Sequence, residues 1–377
     1  MGKERNYGID LLRVFLMLMI VAGHLLVHTG IRGELANFSF KWNYTWICQT
    51  ILLCAVNCFV LITGYFANVN SHSIRIKKLL LLYGQVLFYS VSIYLILLVL
   101  GKTNHSLFGI LFETINAVFP FSSGQYWFFS SYILLMLLAP FLNLMLSKLN
   151  DFALKILTAV IIALFYVLPI FQIVFMQFDV SEGMGIIGFI TLYIIGHALK
   201  RFKIKIPKVA CVFGIILNCA MIFASKIVLA FIVEKLQMNV GSSLLYNYNM
   251  ITQLVNAVLL LFLFKEIKIK KTGAKIISFI SASTFGIYLL HEHPNIRGVI
   301  WNEWLKKLLL ESNGITYVVL SLAIPIVLFL LCLIIDVVRR LLGKALAKIK
   351  LVQKVNKALV EFENKINEKM TTQKEEK

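Results

Sequence analysis

Charge is scarce in this sequence. Asp, Glu, Lys and Arg make up 15% of its 377 residues, where a soluble domain carries about 25%. The shortage falls on the acidic side, with 18 acidic against 37 basic residues. Combined with a hydrophobic content of 59%, it excludes a soluble globular enzyme. Paired cysteine spacing is also missing. Cys48, Cys54, Cys58, Cys211, Cys219 and Cys332 lie scattered in or beside apolar runs, which excludes a zinc ribbon or a secreted disulfide framework and leaves them as small hydrophobes. The first apolar run follows Lys3 and Arg5 but is too long for a signal-peptide core, contains Arg13 and His24, and lacks a small-residue cleavage site, so it is expected to be a mature helix. Asn6 stands where a myristoylation signal following Gly2 prefers Ser or Thr.

Long apolar runs, by contrast, are abundant. About 20 mostly apolar residues cross a hydrocarbon core of about 30 Å. The clearest runs of that kind are 9–30, 46–66, 79–100, 152–176, 209–233, 247–265 and 315–338, with less pure ones at 125–146, 183–199 and 276–292. With no water to satisfy the backbone, unbroken runs of this length select helices over a barrel. The fold class expected is therefore all-α, a polytopic integral membrane bundle of about ten transmembrane helices occupying residues 1–338.

Lys and Arg set the orientation, because positive loops stay on the cytoplasmic side. With the N-terminus inside, the segments that fall on the cytoplasmic side hold 17 Lys and Arg residues before the tail is counted, and the alternate segments hold seven. Both termini are then cytoplasmic, in a multi-pass protein of the plasma membrane. Topology accounts for the basic charge without nucleic acid. Residues 339–377 form a basic tail in which Leu342, Leu346, Ile349, Val352, Leu359, Phe362 and Ile366 recur mostly every three or four residues among lysines. That pattern predicts an amphipathic helix on the anionic inner leaflet, or one paired with a partner helix.

An ionisable group inside a membrane costs a few kcal/mol on insertion scales, so each one raises the case for function. Asp10 and Arg13, three residues apart, can pair on one face. His24 follows Arg13 by 11 residues, roughly 1100° of rotation or three turns plus about 20°, so the two share a face about 16 Å apart along the axis. His28 extends the stripe. One reading is a polar channel with Arg13 holding an anion and His24 serving as a base, a role suited to its unperturbed pKa of about 6.5. The other is an interfacial Asp10–Arg13 pair with His24 hydrogen-bonded to a neighbouring helix.

These residues resemble a family. RNYGIDLLRVFLMLMIVAGH (5–24) is similar to the opening of the membrane acyltransferase-3 family, an Arg, ten residues, then a His. The resemblance continues in order through FVLITGYF (59–66), RIKKLLLLY (75–83), QYWFFSSYILLMLLAP (125–140) and STFGIYLLHEH (283–293). Thr63 stands where Ser is commoner, and the stretch after Arg75 has two lysines and no proline. The resemblance implies transfer of an acyl group, usually acetyl from acetyl-CoA as donor substrate, to a hydroxyl of a cell-surface glycan or its lipid-linked precursor. It makes Arg13 and His24 the catalytic candidates. Arg13, Arg75, Lys77 and Lys78, with Lys200 and Arg201, are candidates for the phosphate-bearing donor at the cytoplasmic mouth, although membrane orientation alone also accounts for such lysines. His24 would deprotonate the acceptor or take the acyl group itself.

Supporting candidates are Asp10, Thr63, Tyr126, Trp127, Tyr288 and His291. Tyr126 and Trp127 read as an interfacial belt or as a sugar-stacking surface. Thr63 and Gly64 read as a close helix contact or as part of an acyl tunnel. His291, Glu292 and His293 are adjacent and point to different helix faces, so no metal site is expected. His197 reads as a hydrogen-bonded packing residue and Glu113 as a cap of a re-entrant segment. His72 and His105 fall in loops. The competing class is a transporter or flippase of a lipid-linked sugar or small anion. It is disfavoured by the lack of an inverted repeat and of a membrane-embedded acidic chain.

Overall fold

The structure, a computed structural model, describes residues 5–102, 106–121, 125–173, 181–237 and 244–372. Lys3, His105 and Gly124 lie outside them. The helices in chain order are α1 (Tyr7–His28), α2 (Ile31–Glu34), α3 (Phe40–Leu52), α4 (Cys54–Tyr65), α5 (Ile76–Val99), α6 (Leu107–Val118), α7 (Trp127–Lys148), α8 (Asp151–Ile162) and α9 (Ile186–Arg201). They continue with α10 (Lys208–Leu236), α11 (Ile251–Lys265), α12 (Lys271–Ser281), α13 (Thr284–His291), α14 (Pro294–Ile300), α15 (Glu303–Glu311), α16 (Gly314–Leu346) and α17 (Lys350–Thr372). No strand occurs among the described residues.

Among the described residues, eight segments are long and apolar enough to cross a membrane, and the protein is an all-α, multi-pass membrane bundle. The runs at 183–199 and 247–265 fold as the shorter α9 and α11, of 16 and 15 residues. α9 is buried without interruption from Thr191 through Ala198. The run at 46–66 is jointed at Leu53 between α3 and α4, and the run at 276–292 is broken at Ala282 and Ser283 between α12 and α13. Glu113 sits inside α6. Helix starts follow side-chain caps. Asn6, Ser39, Asn150, Asn302 and Asn313 each accept a backbone N–H of the first turn, satisfying a donor that the helix itself leaves open.

α1 runs through the middle of the bundle, against α3, α4, α11, α12, α13 and α16. Its start is fixed from outside. Asn6 donates to the Lys265 carbonyl at 3.1 Å, and Gly8 lies so close to the Phe264 and Ile267 carbonyls that a Cβ would collide with them. A second close contact joins α4 and α9, where Gly64 abuts the Tyr193 backbone and Gly196 abuts the Leu61 carbonyl. Small residues allow such approach where lipid supplies no hydrophobic drive between helices. A third joins α5, α13 and α16 at Asp336, fully buried and hydrogen-bonded to the Tyr89 hydroxyl at 2.7 Å and Arg339 Nε at 2.8 Å. Gly286 leaves room for that carboxylate. His197, expected to be hydrogen-bonded, has no partner for either ring nitrogen among the described residues.

Gly64→Val should push α4 off α9 and destabilise the protein by about 1–3 kcal/mol, the range for overpacking a tight contact. A thermal unfolding series in detergent checks this, with Gly84→Val as control because a Cβ there meets open space.

Candidate active site

The site begins at the basic end of α1. Asp10, 2% exposed, accepts hydrogen bonds from Arg5 Nε at 2.6 Å, Arg13 Nη1 at 3.3 Å, Ser278 Oγ at 3.1 Å and Ser281 Oγ at 3.5 Å. A buried carboxylate demands such partners. Its pairing with Arg13, expected from the spacing, holds the guanidinium where two cavities meet.

The first cavity, of about 220 Å³, opens at the basic end and is lined by Ser71, Ser73, Arg75 and Asn143 among others. Asn143 anchors the approach loop by donating to the carbonyls of Asn68 and Ser71, and accepts from the Tyr193 hydroxyl. The second cavity, of about 200 Å³, is walled chiefly by apolar groups, including Met17, Phe59, Phe128 and Phe285. Arg13, Thr63, Lys78 and Tyr132 line both, so the two form one path, polar at its mouth and apolar within. His24 and Tyr288 line the second. The Tyr288 hydroxyl, near the Phe128 backbone, completes no hydrogen bond of good geometry among the described residues.

At the far end of α1 lies a histidine–carboxylate cluster. His24 Nδ1 is 3.0 Å from both His291 Nε2 and Glu292 Oε2, and His28 Nε2 is 3.0 Å from the same carboxylate oxygen. Arg297 donates to Glu292 Oε1 at 3.2 Å. Proton positions follow by elimination. His291 Nδ1 sits 2.6 Å from the Ile287 carbonyl, which only accepts, so Nδ1 carries the proton and neutral Nε2 presents a lone pair. His24 must then donate from Nδ1, towards both His291 and Glu292. In the neutral ring the lone pair then falls on Nε2, and the ring borders the apolar cavity. This is the arrangement of a general base or nucleophile oriented by a buried carboxylate. The ligand atoms of His24, His291 and Glu292 lie within 4.8 Å of one another, a set able to hold a divalent cation, although the short separations of His24 Nδ1 are already hydrogen bonds.

Beyond the cluster is a third cavity, of about 330 Å³, with Glu113, Asn116, Gln125, Trp127, His293 and Asn295 in its wall. Glu292 and Arg297 also line it, and Trp127 borders both this cavity and the apolar one. His293 is 2% exposed, accepts the Asn295 N–H through Nδ1, and has no partner for Nε2 among the described residues. Burial pushes its pKa down to about 4, so at neutral pH it offers an N–H to this cavity.

The structure thus brings together Arg13, His24, Thr63, Arg75, Lys78, Trp127, Tyr288 and His291 along one path. Lys77, Tyr126, Lys200 and Arg201 stand apart from the cavity walls. Lys77 offers its backbone N–H to Glu363. Tyr126 is fully buried, donates to the Leu289 carbonyl and packs on Tyr288 and His293. Lys200 and Arg201 tie down carbonyls at Ala67, Leu146 and Leu149. The sequence reading passed over Glu292 as a partner of His24. The signal was present as a carboxylate one residue past the Tyr-to-His motif, but its partner lay 268 positions away.

A half-buried histidine held by a buried carboxylate, set between a basic-mouthed apolar passage and a polar pocket in a helical membrane bundle, suits the class of membrane group-transfer enzymes. The chain matches the acyltransferase-3 family, described as an acyltransferase domain, over residues 6–337, and it belongs to that family. No curated protein and no solved structure matches the chain.

Glu292→Gln should leave the fold intact and lower kcat for acyl transfer about a hundredfold, the low end for a disrupted proton-transfer arrangement. Steady-state kinetics on the purified protein, with its melting temperature as control, provide the check.

Proposed function

We propose that this membrane acyltransferase moves an acyl group, acetyl in the first instance, from acyl-CoA at the cytoplasmic face to a hydroxyl of a cell-surface glycan or its lipid-linked precursor. In this reading the basic end of the bundle faces the cytoplasm, both termini lie there, and the bilayer is the plasma membrane. The observation that carries it is the single path from a cationic mouth through an apolar passage to the free nitrogen of His24. Arg75, Lys78 and Arg13 suit the phosphate groups of coenzyme A. The apolar passage suits its uncharged pantetheine arm and the acyl thioester.

The cavity beyond Glu292 suits a hydroxylated acceptor. Its amides, carboxylates and the His293 N–H match a polyol, and Trp127 offers a ring face for stacking. His24 Nε2 takes the proton of the acceptor hydroxyl as its oxygen attacks the thioester carbonyl, and returns that proton to the departing thiolate. The same nitrogen serves if the acyl group rests first on His24. Tyr288, whose ring lines the same passage as His24, hydrogen-bonds the developing oxyanion in this reading. Glu292 and His291 hold the His24 ring throughout.

Cells expressing wild-type protein, His24→Ala or no protein, with membrane levels matched, test this reading. Alkali-labile acetyl esters on released surface glycans are quantified by proton NMR, alongside label transfer from radioactive acetyl-CoA to membranes. Ester that depends on the protein and disappears in His24→Ala is expected. Equal ester in all three overturns the acetylation reading and points to movement of an unchanged substrate. Trp127→Ala should raise the acceptor KM about tenfold, as the loss of one stacking contact of about 1–2 kcal/mol, with a smaller effect on the donor KM.

A further inference from the structure

The last helix, α17, lies beyond the residues that match the family and touches the bundle at one place of consequence. Glu363 accepts the backbone N–H of Lys77 at 2.7 Å. Asn367 both accepts from the Ile74 N–H at 2.9 Å and donates to the Ile74 carbonyl at 3.1 Å. Residues 74–77 are the start of α5, whose cap position, Arg75, makes no side-chain capping bond. Two side chains nearly 300 positions away in sequence therefore satisfy backbone groups that open the helix carrying Arg75 and Lys78 into the mouth of the path.

The remaining surface of α17 is divided by angle. At 100° per residue, the half-buried Val352, Asn356, Leu359, Glu363 and Ile366 form the stripe facing the protein. About 100° around lie Leu351, Val355 and Phe362, exposed by 69%, 51% and 54%. The sector beyond carries Lys350, Lys354 and Lys357 over the first two turns with no acidic residue among them, and Lys365 mixed with Glu361 and Glu368 further on, so the basic character lies in the first half of the helix. An apolar stripe edged by lysines, next to the face that grips the protein, suits a helix lying where bundle and bilayer surface meet. Its apolar side chains then enter the acyl boundary and its ammonium groups reach anionic headgroups. Continuity supports this. α16 has 33 residues, about 50 Å at 1.5 Å per residue, so it outruns a hydrocarbon core of about 30 Å and delivers α17 to the surface after three residues.

We propose that α17 is a strap whose Glu363–Asn367 face fixes the donor-binding turn at residues 74–78 and whose lysine-edged apolar face binds the anionic lipid surface, so that donor binding depends on lipid charge. The donor half of this rests on the acyl-CoA reading above; the lipid half does not.

The test uses the full chain in nanodiscs of phosphatidylcholine alone or mixed with phosphatidylglycerol. Amide hydrogen exchange is followed over 350–369 and 74–80, and acyl-transfer kinetics are measured on the same samples. Exchange in both segments should slow about tenfold in the anionic discs, with the difference vanishing near 1 M salt, where the Debye length falls to about 3 Å. Joint replacement Lys350→Gln, Lys354→Gln and Lys357→Gln should abolish the lipid response. Glu363→Ala with Asn367→Ala should speed exchange at Lys77 and raise the acyl-CoA KM several-fold with kcat unchanged. Identical exchange in the two disc types overturns lipid binding, and an unchanged Lys77 amide or KM in the double variant overturns the strap. A lipid-dependent exchange response in protein that transfers no acyl group from acyl-CoA sinks the donor reading instead and leaves the lipid-binding face standing.

Discussion

Glu292 is a carboxylate that the fold buries, and a buried carboxylate must recruit partners or be expelled. It recruits His24 and His28 from α1 and Arg297 from α14. Those contacts tie α1 and α14 to the end of α13. Much of the site follows. With α1 held at this end by Glu292 and at the other by the bonds to Asp10, its polar stripe has one orientation, towards the path. Asp336 repeats the device on α16. The first and last spans are both pinned by acidic residues in a sequence that has few to spend.

The fold class was legible because the signals behind it are local. Apolar run length and helix caps need no knowledge of neighbours. Arg13 and His24 were legible for the same reason, since spacing along one helix fixes their shared face. The jointed runs were not. Nothing in residues 46–66 announces the offset at Leu53, and the break at Ala282 and Ser283 depends on Arg340, which donates to the Phe279 carbonyl and to Ser283 from α16. The roles of Glu292 and Lys77 were hidden because each is set by a partner more than 260 positions away. Lys77 reads as one more cation in a basic stretch until Glu363 shows that its backbone matters here. His197 illustrates the converse error. A histidine in an apolar helix predicts a hydrogen bond, and among the described residues packing alone accommodates it.

The site separates two chemistries by placing them at opposite ends of one helix. Charge gathers at the mouth, apolar rings line the passage, and amides and carboxylates line the pocket beyond. Trp127 and Glu292 mark the boundary, where His24 sits with amides and carboxylates on one side and apolar groups on the other. That contrast supports the proposed reading, in which one group meets a polar acceptor and an uncharged thioester in one step.

Thr63 and Gly64 are neighbours with opposite duties, one facing the passage and the other pressed against the Tyr193 backbone. One wall of the passage is therefore backed by main chain, which has no rotamers to change. The α4 main chain cannot retreat at this point without moving α9. In the acyl-transfer reading proposed above, adjustment to a longer or bulkier acyl group comes from the facing rings, Phe128 on α7 and Phe285 on α13, whose side chains can be trimmed one at a time. The passage is a channel with one fixed jaw and one adjustable jaw, and the length of chain it admits is written in the aromatic one.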